Sequence, residues 1–217
     1  MDIDLITNIL YAMIRTGTPL LLVALGEMVC EKSGVLNLGQ EGMMLMGAVA
    51  GFIATWLTGN LFFGFLMAIV AGVVMSQLFA MIALGLNANQ VATGLALTIF
   101  GTGLSAFIGS SFVGKPIEGL EVITIPLLSD IPVIGKMLFA QDPIVYLSFI
   151  LFGVIFWFFR TSRTGLIVKA VGENPHAANA IGLPVMRTRY LAVAFGGAMA
   201  GLAGGYLSLA YTPLWAE

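Results

Sequence analysis

Apolar residues run through this chain in six long blocks separated by short polar stretches. The blocks lie near Leu5–Val29, Gly42–Leu57, Leu61–Leu86, Val91–Gly109, Pro143–Phe159 and Tyr190–Tyr211. A helix needs about 20 mostly apolar residues to cross the hydrocarbon of a bilayer. The pattern therefore predicts an all-α, polytopic transmembrane helical bundle of about six spans, with residues 1–217 forming a single domain. Two blocks depart from a plain span. The first carries Arg15 and the run Thr16-Gly17-Thr18-Pro19. That predicts an interrupted helix, tolerated only where it faces protein or a wet cavity. The second is short, which predicts a tilted or broken helix.

Composition strengthens this picture. Only 9% of residues are charged and 59% are hydrophobic, with a mean hydropathy of +1.01. A soluble domain carries about 25% charged residues, so this chain cannot cover a water-facing surface. The net charge of −2 leaves no nucleic-acid footprint. A single cysteine, Cys30, excludes an internal disulfide framework. The N-terminal MDIDLITNIL has no basic region or small-residue cleavage site, so the first apolar block is expected to be retained.

Charge placement predicts an orientation. Arg160, Arg163, Lys169, Arg187 and Arg189 fall between the fifth and sixth blocks, against one acid, Glu173. The positive-inside rule makes residues 160–190 a cytoplasmic segment. Trp157, Phe158 and Phe159 read as an aromatic belt beside it. The connection Ser110–Asp142 then lies outside, with Glu118, Glu121, Asp130 and Asp142 against Lys115 and Lys136. Counting back places the N-terminus, with Asp2 and Asp4, outside as well.

Small residues recur every four positions. Gly197, Gly201 and Gly205 form one row of the sixth block, Gly196, Ala200 and Gly204 a second, and Gly47 and Gly51 a pair in the second block. This spacing lets helix backbones approach closely in lipid. A kink or moving hinge is the alternative.

The candidate chemistry is sparse. Gly109–Lys115 reads GSSFVGK, the first seven positions of a phosphate-binding loop, but it follows a membrane helix and Pro116 replaces the magnesium-binding hydroxyl. His176 is the only histidine and lacks neighbours at ligand spacing, so a surface position is expected rather than a metal site. In the fourth block Asn87, Asn89, Gln90, Thr93, Thr98, Thr102 and Ser105 form a polar stripe. Such hydroxyls often bond back to their own helix or join helices together. The functional alternative is the uncharged wall of a pathway for a neutral polar solute.

Two polar segments say more. Within residues 160–190, Asn174 is a good N-cap, Pro175 suits a first helical position, and Gly182 and Pro184 terminate. They specify a helix near Pro175–Ile181, roughly 10 Å long, with Ala177, Ala180 and Ile181 on one weakly apolar face. It is too short to stand alone in water, so it leans on the membrane body or on a partner. The second segment carries Glu27, Glu31, Lys32 and Glu41, with Asn37 and Gln40 placed as a capping box that would start a helix at Leu38. The readings are a headgroup-level loop, or a gate or brace formed by Glu31, Asn37, Gln40 and Glu41 beside a pathway.

GEMVCEKSGVLNLGQEGMMLMGAVAGF (Gly26–Phe52) and SRTGLIVKAVGENPHAANAIGLPV (Ser162–Val185) resemble permease subunits of ABC importers. The similarity is to the sugar/nucleoside type, kin of the branched-chain amino-acid and ribose permeases, and it extends over essentially the whole chain. It implies a type II ABC importer-like bundle in a bacterial cytoplasmic (inner) membrane. It implies that Gly172, Glu173, Asn174, Pro175, His176, Ala177, Ala178 and Gly182 belong to an ATPase-coupling helix. The implied partners are a separate ATP-binding-cassette ATPase that holds ATP-Mg, a second permease subunit (a paralogue), an extracytoplasmic solute-binding protein and membrane lipid. No cofactor is expected on this chain, and no nucleic acid. Family members carry further spans after the point where this chain stops at YTPLWAE, so a C-terminally truncated member is implied. The expected function is a transport subunit, not an enzyme, for a nucleoside or simple sugar. An ion-coupled secondary transporter or channel would need charge deep inside the spans, where Arg15 lies. An intramembrane enzyme would need a convergent nucleophile and base.

Overall fold

A computed structural model describes residues 3–124 and 134–215. Asp2 and Asp130, assigned above to the outer side, lie outside the described residues. Among the described residues six helices are long and apolar enough to cross a membrane: Leu5–Lys32, Gln40–Thr58, Leu61–Gly85, Gln90–Phe112, Pro143–Thr161 and Val185–Tyr211. Each falls on a predicted block. The elements are α1 (Ile3–Lys32), α2 (Gln40–Thr58), α3 (Leu61–Ala80), α4 (Gln90–Gly109), α5 (Ile134–Phe139), α6 (Pro143–Thr161), α7 (Arg163–Glu173), α8 (Pro175–Ala180) and α9 (Val185–Tyr206). The ends of α3 and α9 loosen into π turns at Met81–Gly85 and Leu207–Tyr211. A two-residue ladder, β1 (Ile123–Thr124) against β2 (Ala140–Gln141), runs antiparallel in the Ser110–Asp142 connection.

Starts are written by capping side chains. Asn60 accepts from the Phe62 and Phe63 amides to open α3. Asn89 accepts from Ala92 to open α4, and Asp142 from Val145 to open α6. Each satisfies amides that a helix start leaves without partners.

Two expectations are corrected. The first span is not interrupted. α1 runs unbroken for 30 residues through Pro19; the Thr16 and Thr18 hydroxyls bond back to the Ala12 and Ile14 carbonyls, and the helix packs against protein at Thr18, Leu22 and Leu25. The second span is neither broken nor too short, since α2 begins two residues earlier than its apolar block and is continuous for 19 residues.

The bundle is organised around α9. Of its most apolar stretch 72% is buried, against 22–44% in the other five spans. The two rows of small residues face different neighbours. Gly196 meets Cys30 and Gly26 of α1, and Gly204 meets the Met44 carbonyl of α2. Gly197, Gly201 and Gly205 meet Ser76, Ala68 and Phe65 of α3, while Gly47 of α2 lies on Gly201. A methyl group at most of these positions would strike backbone. Close helix packing, not a kink, is thus what the spacing encodes.

Candidate functional site

At the end of the bundle where α1 stops, the two polar segments meet. Ser162 caps α7 by accepting from the Gly165 amide at 2.9 Å. α7 then lays Gly165, Val168 and Val171 against the body, the last wholly buried. Asn174 both closes α7 and opens α8, its side chain accepting from Ala177 at 3.0 Å. Pro175 occupies the first turn. Gly182 has φ +83, a left-handed conformation that glycine adopts without strain, and stops the helix. The expected helix is present and ends one residue earlier than predicted.

Burial on α8 is one-sided. Ala178 is 3% exposed and anchors the helix. Glu173, Asn174, His176, Ala177, Asn179, Ala180, Ile181 and Gly182 are all exposed, Ile181 by 76%. Gly172 lies directly on the Lys32 carbonyl and Gly34, so any side chain there would separate α7 from the end of α1. Gly34 has φ +79 and turns the chain tightly enough to permit that approach. Arg189 of α9 donates from Nε to the Ser33 carbonyl at 3.2 Å. The helix Pro175–Ala180 is therefore joined, through Gly172 and Arg189, to the turn that links α1 and α2.

That turn is held by Glu27. Its Oε1 accepts from the Asn37 amide at 3.0 Å, and its Oε2 from Gln40 Nε2 at 2.6 Å. Asn37 is 1% exposed and accepts from the Gly39 amide at 3.0 Å. The capping box is not formed. Glu27 takes both groups the box would use: the Asn37 amide donates to its carboxylate, a stronger acceptor than the Gln40 side-chain oxygen, and the Gln40 amide group donates to the same carboxylate, and α2 starts at Gln40 rather than Leu38. Of the four residues assigned to a gate or brace, the structure brings Asn37 and Gln40 together. Glu31 and Glu41 are exposed and take no part in that cluster.

The stripe on α4 divides in the same way. Thr93, Thr102 and Ser105 donate to carbonyls of their own helix, at Asn89, Thr98 and Thr102. Gln90 and Thr98 reach outward. Gln90 Oε1 accepts from the Leu36 amide at 2.8 Å, and Thr98 donates to the Leu38 carbonyl at 3.1 Å. They fasten α4 to the same turn. Asn87 is exposed with φ 54, a left-handed position that asparagine tolerates. Gly94 and Gly101 press α4 onto Leu38–Gly39 and Gly42. Thr102 remains exposed, and Ser105 is buried.

Toward the opposite end lies Arg15, a charge well inside α1. Arg15 Nε lies 3.4 Å from Asp142 Oδ2, and its Nη2 donates to the Ala210 carbonyl at 3.0 Å. Tyr206 donates to Asp142 at 3.1 Å. Asp142 has no exposed surface and still caps α6. One carboxylate thus ties α1, α6 and α9. At this end the GSSFVGK segment lies against Trp215, with the Gly114 amide donating to its carbonyl at 3.0 Å. Lys115 Nζ sits over Trp56 and Phe112 at 4.4 and 4.7 Å. The segment follows a helix and its lysine faces aromatic rings, an arrangement unlike a phosphate cradle.

Sequence reasoning did not assign Glu27, Ser33, Gly34 or Arg189 to the site. The Glu27 partners lie 10 and 13 residues away and Ser33 is 156 from Arg189, so no local spacing announces either contact. The positive φ of Gly34 is the one feature a glycine in a polar turn could have suggested.

Comparison with known proteins places these features in a lineage. The family profile described as "Branched-chain amino acid transport system / permease component" matches residues 9–216. The chain is 43% identical to the "Putative glucose ABC transporter permease protein TsgC13" of Haloferax volcanii, over 96% of this chain and 64% of that protein. It is 35% identical to the guanosine ABC transporter permease protein NupQ of Bacillus subtilis, over 94% of this chain and 68% of that one. It is 30% identical to the nucleoside ABC transporter permease protein NupC of Lactococcus lactis subsp. cremoris, over 88% and 64%. The chain therefore spans about two thirds of the length of these relatives. No solved structure matches it.

Proposed function

The chain belongs to the branched-chain amino acid transport system permease family, a multi-pass membrane family, and from that premise we propose that it serves as a membrane-spanning permease subunit of an ATP-binding-cassette importer. In this reading it forms, with a second and paralogous permease subunit, the path of a neutral polar solute across a bacterial cytoplasmic membrane. A nucleoside or simple sugar is the solute class. The names of the three relatives and the uncharged side chains on α4 support that choice. A solute-binding protein delivers the solute to the Asp142 end, and a separate ATPase, carrying ATP-Mg, works at the α8 end. The basic residues clustered in 160–190 support this sidedness.

The observation that carries the reading is the state of α8. It is capped by Asn174, anchored by Ala178 with Pro175 half-buried, and exposed at every other residue. Isolated helices of this length are not stable in water, so a surface this bare is suited to a groove on a partner. Movement of α8 would pass through Gly172 to the Lys32–Gly34 turn and through Arg189 to α9. Glu27, Gln40, Gln90 and Thr98 would carry it from that turn into α2 and α4. The chain then does mechanical work with energy released elsewhere, and hydrolysis belongs to the ATPase. An ion-coupled carrier would need a free charge within a span, whereas Arg15 is paired with Asp142 and Glu27 is held by the Asn37 amide and Gln40.

The test replaces residues 172–182 with a flexible linker in the protein co-expressed with its ATPase. The substituted protein is expected to remain monodisperse and to lose co-purification of the ATPase. Undiminished co-purification would overturn the proposal.

A further inference from the structure

A groove of about 440 Å³ opens at the Lys32 end between α1, α6, α7 and α9. Its walls are apolar, with Val154, Leu191 and Phe195 among them, and its polar residues are Arg187, Thr164 and Thr188. The polar residues gather at one end, because Thr164 opens α7 and Arg187 and Thr188 lie in the first turn of α9. From Arg187 to Phe195 the helix rises eight residues, about 12 Å. One leaflet holds roughly 15 Å of hydrocarbon. The groove thus has a cationic mouth at headgroup level and an apolar length close to that of one leaflet.

The mouth is also short of negative charge. Residues 160–190 hold five cations against Glu173. Among the described residues Arg189 is engaged by Ser33, Lys169 donates to the Phe159 carbonyl, and Arg160 lies over Phe156. Thr188 donates to the Pro184 carbonyl, and Thr164 is within 3.2 Å of the Ser162 hydroxyl. Arg187 is exposed and forms no ion pair or hydrogen bond among the described residues. A free guanidinium above an apolar slot in a bilayer is complementary to a lipid phosphate above its acyl chain.

We propose that this groove is a site for one anionic phospholipid, its acyl chain lying along α6 and α9 and its phosphate held by Arg187. The occupant would fill the gap between α6–α7 and α9 while leaving α8 free. The proposal rests on the chain's place in a bilayer and not on the identity of any solute.

The protein is reconstituted in vesicles of phosphatidylglycerol and phosphatidylcholine in equal parts, extracted in mild detergent and weighed by native mass spectrometry. Phosphatidylglycerol is expected to be retained about fivefold over phosphatidylcholine, as one cation at the membrane surface would provide. Arg187→Gln should abolish the preference and Arg187→Lys largely restore it. Leu191→Trp, which obstructs the slot, should release lipid of both kinds. Equal retention by the unsubstituted protein, or a preference that survives Arg187→Gln, would overturn the assignment. So would a photo-cross-linker at Leu191 that labels the protein's own chain rather than lipid.

Discussion

Helices α8 and α9 follow one another in the chain and are both rich in alanine or glycine, yet the fold uses them in opposite ways. In α9 the small residues allow three neighbouring helices to touch its backbone, and the element is enclosed along its glycine-rich length from Gly196 to Tyr206. In α8 they leave a short rod with one buried methyl group, Ala178, and little for the body to hold. The difference lies in what flanks them. α9 is long, uncapped by side chains and apolar, so it gains its stability from neighbours. α8 is bounded by Asn174 and Gly182 and obtains its shape locally. One design produces a fixed axle, the other a detachable contact, and the account of function depends on that distinction.

The largest expected effect is on the axle. Gly204→Leu would drive a side chain into the Met44 carbonyl of α2. Overpacking commonly costs about 1–3 kcal/mol and more where backbone must move. Loss of the monodisperse peak in detergent chromatography is expected, and normal recovery would show that α9 is not closely packed. Tyr206→Phe is smaller. It removes a buried donor from Asp142 and should cost about 1–3 kcal/mol, read as a lowered melting temperature with the chain still folded.

Smaller still are effects confined to α8. Asn174→Ala removes its cap, worth about 1 kcal/mol. The melting temperature should hold while affinity for the ATPase falls about fivefold, measured by titration in nanodiscs. A fall in melting temperature instead would mean that α8 is part of the body. The smallest effect is expected at Gly103 of α4, where nothing lies within 4 Å of an added methyl group. Gly103→Ala should leave stability within about 0.5 kcal/mol, a reference against which Gly204→Leu is judged.

How much of this could be read from the chain alone follows the range of the interactions. The six spans were legible because each is a contiguous apolar block. α8 was legible because Asn174, Pro175 and Gly182 act on their immediate neighbours. α7 was not separated from the segment around it, since its buried face is only Gly165, Val168 and Val171 and its cap, Ser162, follows a span directly. The capping box at Asn37 and Gln40 failed for the opposite reason: a carboxylate on another helix outcompeted the local partner. Arg15 and Asp142 are a further case, two charges on separate elements whose pairing depends on how α1 and α6 pack. The α4 stripe was legible as composition, but only the geometry separates Gln90 and Thr98, which cross to the turn, from Thr93, Thr102 and Ser105, which bond to their own helix.

The central claim is that α8 meets the ATPase by its bare face and the body through Ala178. A single cysteine placed in turn at Ala177, Ala178 and Ala180 tests it directly, since Cys30 is buried and shielded from aqueous reagent. Cross-linking to the ATPase is predicted from Ala177→Cys and Ala180→Cys and not from Ala178→Cys. Cross-linking strongest from Ala178→Cys, or absent at all three positions in the assembled complex, would contradict the account.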